Sequence, residues 1–245
     1  MQEPPPDQAH WSRFAHEWVQ WTRTPNHDAF WAYREAFLSF IGRGKGGEAL
    51  EVGCGEGRIS RELAALGYRV SAADVAPEMI EAARELGSAS EYAVAPAAAL
   101  PFADGRFRLV VAYNVLMDVE DVPASIREIR RVLRPDGEFV FSLVHPFSDR
   151  GDFDGAAADA PFTLKGSYFG RERFEAVEQR NGLTMHFAGW SQPLEAYAAA
   201  LEAAGLAITS IREPRPAMGE GREYLERWQR IPLFLWVKAR PLAVA

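Results

Sequence analysis

The nonapeptide LEVGCGEGR, Leu50 to Arg58, sets Gly53, Gly55 and Gly57 at every second position directly after a short apolar run. A glycine loses more backbone freedom on folding than any other residue, so neither a helix nor a strand interior gains from that spacing. A strand at Ala49–Val52, a tight glycine turn and a helix from Arg58 to Leu66, ended by Gly67, account for it. Such a turn brings bare backbone close to a ligand and aims the first helix N–H groups at it.

Outward from this stretch the chain alternates. Strands are expected at Tyr68–Ala73, Glu91–Ala95, Phe107–Tyr113 and Glu138–Val144, and helices at Pro77–Leu86 and Pro123–Leu133, the latter stopped by a Pro135–Asp136–Gly137 turn. Repeated strand–helix–strand units imply a parallel sheet with helices on both faces. A helix at Leu194–Ala204 and strands at Ala207–Arg212 and Leu233–Ala239 close the chain. Before the alternation, Trp11, Phe14, Ala15, Trp18 and Trp21 recur at helical spacing, as do Phe30, Tyr33, Phe37 and Ile41; residues 1–8 read as a loose tail. After His145 the rhythm breaks, and Asn181–Gly182 marks a two-residue hairpin turn. Pairing outward from it puts Phe174, Ala176, Met185 and Phe187 on one face and Glu175, Val177, Gln179, Thr184 and His186 on the other. This stretch is expected to be a lid, because a long connection from the end of a central strand crosses the crevice where α/β sheets bind ligands. The 245 residues divide into a helical cap (1–45), a core (46–145), the lid (146–192) and the rest of the sheet (193–245) of one domain.

With 48% hydrophobic and 25% charged residues the composition is that of a globular domain. The net charge of −7 opposes a nucleic-acid partner. The single cysteine, Cys54, excludes an internal disulfide and a cysteine-rich zinc site, and the five histidines are too scattered for a metal. The start, MQEPPPDQAH, is no secretory signal and no run reaches membrane-spanning length, so a cytoplasmic protein is expected.

Dinucleotide sites favour G-x-G-x-x-G, but here the third glycine comes one residue early and Arg58 holds the dinucleotide position. Glu51 suits an ammonium group better than a pyrophosphate. A ligand with nucleoside and amino-acid parts and no phosphate fits. LEVGCGEGR resembles motif I of the class I S-adenosylmethionine-dependent methyltransferases. VSAADVAPEMIEAAR (70–84), ALPFADGRFRLVVAYNVLMDVED (99–121) and REIRRVLRPDGEFVFSLVHPF (127–147) are similar to the segments that follow in that family, so the likeness is close over about residues 48–147.

The resemblance implies a Rossmann-like, seven-stranded mixed sheet whose last strand is antiparallel. It implies S-adenosylmethionine as cofactor and S-adenosylhomocysteine as product. Gly53, Gly55 and Gly57 would line the methionine and ribose side, Glu51 would lie beneath the turn, and Asp74 would bind the ribose hydroxyls. Pro77 and Met79 would border the adenine, Val75 would belong to the same cofactor site, Ala97 and Ala98 would face the adenine amino edge, and Asn114 would sit near the methionine part. Pro96, Arg108 and Asp118 depart from the family pattern, which often has an acidic residue near position 96.

Methyl transfer from a sulfonium needs a base only where the acceptor must lose a proton. His145, at the end of the fifth strand, Asp118, beyond the fourth, and His186 in the hairpin are the candidates, against structural roles as a Pro146-locked histidine, a helix N-cap or solvated charge, and an exposed strand residue. Trp18, Trp21, Trp31 and Tyr33 of the cap, with Phe147, Tyr168 and His186 of the lid, are expected to build an apolar acceptor pocket. Arg23 or His27 would reach the cofactor carboxylate. The function implied is methylation of a small, largely apolar or aromatic molecule, as in secondary metabolism, by a monomer or homodimer. O-methylation is the first reading and N- or C-methylation stays open. Two alternatives are a non-catalytic cofactor-binding regulator or partner subunit, and a nicotinamide-dependent oxidoreductase, although no Tyr-x-x-x-Lys occurs.

Overall fold

The alternation builds a seven-stranded sheet in the computed structural model, which describes residues 6–242. In chain order the elements are α1 (Pro6–Arg23), α2 (Phe30–Ile41), β1 (Glu48–Val52), α3 (Arg58–Ala65), β2 (Arg69–Asp74), α4 (Pro77–Glu85) and β3 (Glu91–Val94). They continue with β4 (Phe107–Tyr113), α5 (Val122–Val132), β5 (Leu133–Val144), β6 (Gly151–Phe153), β7 (Phe162–Leu164), β8 (Glu172–Arg180) and β9 (Leu183–Ser191). Last come α6 (Leu194–Ala203), β10 (Leu206–Arg212), a 3-10 turn at Glu223–Gln229 and β11 (Phe234–Pro241).

The sheet order is β10-β11-β5-β4-β1-β2-β3. The strands from β5 to β3 run parallel, and β11 pairs antiparallel with both neighbours, as expected. Side chains alternate across a strand, and β4 shows why its sequence is apolar throughout. Val110 and Ala112 pack with Ile126, Ile129, Tyr197 and Leu201 of α5 and α6. Leu109 and Val111 pack with Phe37 and Ile41 of α2 and Ile59 and Leu63 of α3 on the opposite face. The order reverses between β1 and β4, so a crevice opens at their C-terminal ends.

Three expectations are revised. Of the expected tail, residues 1–5 lie outside the described residues, and residues 6–8 already belong to α1. The Pro135–Asp136–Gly137 segment is absorbed into β5, where the pairing shifts from Phe107↔Leu133 to Leu109↔Glu138. Asp121, not Asp118, caps α5: Ala124 N–H donates to its Oδ1 at 2.8 Å.

The Asn181–Gly182 turn forms with φ of 49° and 81°, both in the left-handed region that a two-residue hairpin demands. The expected faces follow from the register Ala176↔Phe187 and Glu178↔Met185. Helix α1 lies between this hairpin and α4: Trp18 meets Phe187 edge-on at 6.2 Å, and Trp11 and Ala15 pack on Met79. Among the described residues no helix is long and apolar enough to cross a membrane.

Candidate functional site

The crevice between the strand tips, α1 and the β8–β9 hairpin is a cavity of about 450 Å³, within the range of small-molecule sites. One half is built around the glycine turn. Gly53, Gly55 and Gly57 have φ of 66°, 53° and 84°, a region side-chain-bearing residues rarely adopt. Close packing adds to the requirement. A Cβ on Gly53 would meet Val115 at 2.4 Å, one on Gly55 would meet Trp18 Nε1 at 2.8 Å, and one on Gly57 would meet Ser88 Oγ at 2.2 Å. Gly53 and Gly55 line the cavity, whereas Gly57 serves packing behind the turn.

Asp74 ends β2 with its carboxylate at the cavity wall. Gly55 N–H donates to its Oδ2 at 2.8 Å and Ala76 N–H to its Oδ1 at 3.0 Å. Burial nonetheless pushes its pKa up to about 6. Val75, Met79, Ala95 and Ala97 give this half an apolar floor, while Ala98 turns outward and is exposed. Asn114, at φ 55°, lines the cavity with its Oδ1 accepting from Ser142 Oγ at 2.6 Å.

Glu51 is fully buried in a smaller pocket beneath the turn, next to Gly53, Gly55, Arg58 and Tyr113, where it shares a short hydrogen bond with Ser60. Burial raises its pKa to about 8. Arg58 lines both spaces and pairs with Asp28 Oδ2 at 2.6 Å, its guanidinium 4.0 Å above the Phe30 ring. Asp28 Oδ1 and the Tyr113 hydroxyl are buried there without a partner among the described residues. A cation beside an unpaired carboxylate oxygen, with Glu51 below, is complementary to a free amino-acid end. The two residues proposed from sequence for a carboxylate are elsewhere. Arg23 pairs with Glu56 and Glu85 at 3.3 Å, and the His27 ring packs edge-on against Trp21 at 4.3 Å.

The other half is aromatic and aliphatic: Phe30, Tyr113, Leu225, Trp228, Leu233 and Phe234 line it. Two carboxylates face into it, Asp118 after β4 and Asp149 after β5. No donor bonds the Asp118 carboxylate among the described residues. Burial, then the charges of Asp149, Asp7 and Asp74, hold its pKa well above the usual carboxylate range. Phe174, Ala176, Glu178 and Phe187 of the hairpin form the roof with Trp18 and Trp21.

Several sequence candidates are not in the cavity. The β5 strand places Val144 on the wall, so alternation turns His145 away; its Nε2 lies 3.0 Å from Glu213 Oε1 and its Nδ1 accepts from Phe147 N–H. His186 Nδ1 pairs with Glu17 at 2.7 Å, and its ring stacks on Phe14. Tyr33 is core, Trp31 packs beside Phe30, Phe147 stacks on Phe162, and the Tyr168 hydroxyl accepts from Leu194 N–H. Sequence reading missed Asp7, Asp28, Asp149, Arg180 and Tyr224, which reach the cavity from five separate segments. No motif spacing connects them.

Residues 50–141 match the family model described as a methyltransferase domain. The chain is 35% identical over 99 residues to a malonyl-(acyl-carrier protein) O-methyltransferase of Serratia marcescens, which covers 40% of this chain and 39% of that one. It is 36% identical over 105 residues to a ubiquinone biosynthesis O-methyltransferase of Xanthomonas oryzae pv. oryzae, covering 41% and 44%. The chain thus spans about two fifths of the length of these curated relatives. An S-adenosylmethionine dependent methyltransferase from Mesorhizobium loti superposes with a TM-score of 0.66 at 26% identity, over 87% of this chain and 98% of that one.

Proposed function

We propose that this chain, whose core belongs to the class I S-adenosylmethionine-dependent methyltransferases, moves a methyl group from S-adenosylmethionine to a small, largely apolar or aromatic molecule, at oxygen. The carrying observation is one continuous cavity with two chemistries. One half has the buried carboxylate of Asp74, an apolar floor and a paired Arg58–Asp28 end; the other is an aromatic slot edged by Asp118.

The first half fits the cofactor on this structure's own terms. Asp74 holds acceptor oxygens toward a ribose, and Val75 and Met79 offer apolar faces to a base. Glu51, Arg58, Asp28 Oδ1 and the Tyr113 hydroxyl, the last two without a partner among the described residues, would hold the ammonium and carboxylate of the amino-acid end. When bound, the cofactor supplies a methyl group already activated by its sulfonium. The protein's share is to orient the acceptor, exclude water and receive a proton. Phe30, Trp228 and Phe234 orient a flat or apolar acceptor, and the α1–hairpin roof shields it. Asp118, without a donor of its own and titrating above the usual range, takes the proton from an acceptor hydroxyl.

The two curated relatives' names describe O-methyltransferases, which supports oxygen as the acceptor atom. The oxidoreductase alternative fares worse, because the position a dinucleotide turn needs bare carries the ion-paired Arg58. Calorimetry with S-adenosylmethionine, S-adenosylhomocysteine and NAD, followed by turnover on a panel of phenols and amines, tests the reading. Tight binding of the first two and methylated phenol are expected. NAD binding alone would sink it, and cofactor binding without turnover would favour the regulator.

A further inference from the structure

Helix α1 runs lengthwise over the cofactor half of the cavity, and its register can be followed residue by residue. Trp18 covers the glycine turn, since a Cβ on Gly55 would meet its Nε1 at 2.8 Å. Toward the N-terminus, Ala15 and Trp11 pack against Ala76 and Met79 at the head of α4. Asp7 stands one turn beyond Trp11 on the same face and lines the same cavity. At 1.5 Å rise per residue it lies about 16 Å along the axis from Trp18. Its register therefore places it past the ribose-binding Asp74 and over the apolar floor.

That floor is formed by Val75, Met79, Ala95 and Ala97, none of which has a polar side chain. An adenine ring lying there presents an exocyclic amine whose N–H groups need an acceptor. The only hydrogen bond to the Asp7 carboxylate among the described residues is from Gln8 N–H to Oδ1, at 2.8 Å, and Oδ2 is left without a partner. Asp7 lines the same cavity as Asp74 and Asp118, at the tips of β2 and β4.

We propose that Asp7 is the side chain that recognises the exocyclic amine of adenine, so that the cap helix, not the strand tips, reads the base of the cofactor. The inference rests on the cofactor reading above. A carboxylate accepting from an amine is a charge-assisted contact, and it discriminates against a base that lacks the donor because the carboxylate is then desolvated for nothing.

The test is calorimetric titration of the full chain with S-adenosylhomocysteine and with its analogue carrying hydrogen in place of the exocyclic amine. Wild type, Asp7→Ala and Asp118→Asn are compared. Wild type should prefer the amine-bearing ligand roughly tenfold or more. Asp7→Ala should bring the two ligands to near equality while binding the analogue at least as tightly as wild type does, and Asp118→Asn should keep the preference. A merely structural role for Asp7, as a brace for the first turn of α1, would weaken both ligands alike and leave their ratio intact. That result, or loss of the preference in Asp118→Asn instead, overturns the proposal. Failure of wild type to bind S-adenosylhomocysteine at all would instead sink the cofactor reading.

Discussion

Asp74 accepts from the backbone N–H groups of Gly55 and Ala76 and lines the cavity. Removing the carboxylate therefore has two effects. Asp74→Ala should weaken S-adenosylhomocysteine binding by about one to two powers of ten, and should also destabilise the chain by about 1–3 kcal/mol because Gly55 and Ala76 lose their acceptor. Asp74→Asn, which keeps one oxygen, should recover part of the stability in a thermal melt; no change in affinity by calorimetry for Asp74→Ala would remove the ribose role. His145 shows what a residue-scale reading of sequence can miss. Its position at the end of β5 was legible, but a one-residue step flips a strand side chain to the other face, and Val144 took the cavity side. His145→Ala should accordingly keep turnover within about twofold, while Asp118→Asn should lower it about a hundredfold with cofactor affinity intact. A hundredfold loss in His145→Ala would restore the histidine to the mechanism.

At the scale of elements the sequence was most informative where one local rule dominates. Period-two and period-3.6 patterns located the strands and helices of the sheet, and Asn181–Gly182 located a hairpin whose faces then followed from pairing alone. What rests on contacts between distant segments was not legible. The hairpin tip is an instance: Arg180 ends β8, donates from Nη1 to His27 O at 2.9 Å, and lies 3.9 Å above the Tyr224 ring. One guanidinium thus ties the roof to the α1–α2 loop and to the 3-10 turn at Glu223–Gln229. Arg180→Ala should raise hydrogen exchange across Leu183–Ser191 while exchange in β4 and β5 stays unchanged. It should also raise KM for the acceptor more than it lowers kcat. Unaltered exchange in the hairpin would show that the Trp18–Phe187 and Phe14–His186 contacts hold the roof without it.

The whole molecule carries the cost of its site as a pH dependence. Glu51 and Asp74 are buried with pKa values raised to about 8 and about 6, above the ordinary carboxylate values they regain on unfolding. Between those limits the folded chain binds more protons than the unfolded one, so stability is full below about pH 4 as far as these two groups are concerned and falls as pH rises through the folded values. Asp74 acts over the lower part of the window and Glu51 up to about pH 8. A displacement of this size at Glu51 corresponds to a few kcal/mol, on the order of several degrees of melting temperature for a chain this long. Melting temperature should therefore drop between pH 6 and pH 8, and Glu51→Gln, which keeps the shape without the charge, should flatten that slope and be the more stable protein at pH 8. Saturating S-adenosylhomocysteine should flatten the same slope in wild type, because an ammonium group beside Glu51 lets the carboxylate ionise while buried. The two routes to one slope tie the stability of the empty fold to the ligand its glycine turn surrounds. Were Glu51→Gln to retain the wild-type slope, Glu51 would not be the group that titrates, and its place beneath the turn would have no part in binding a cation.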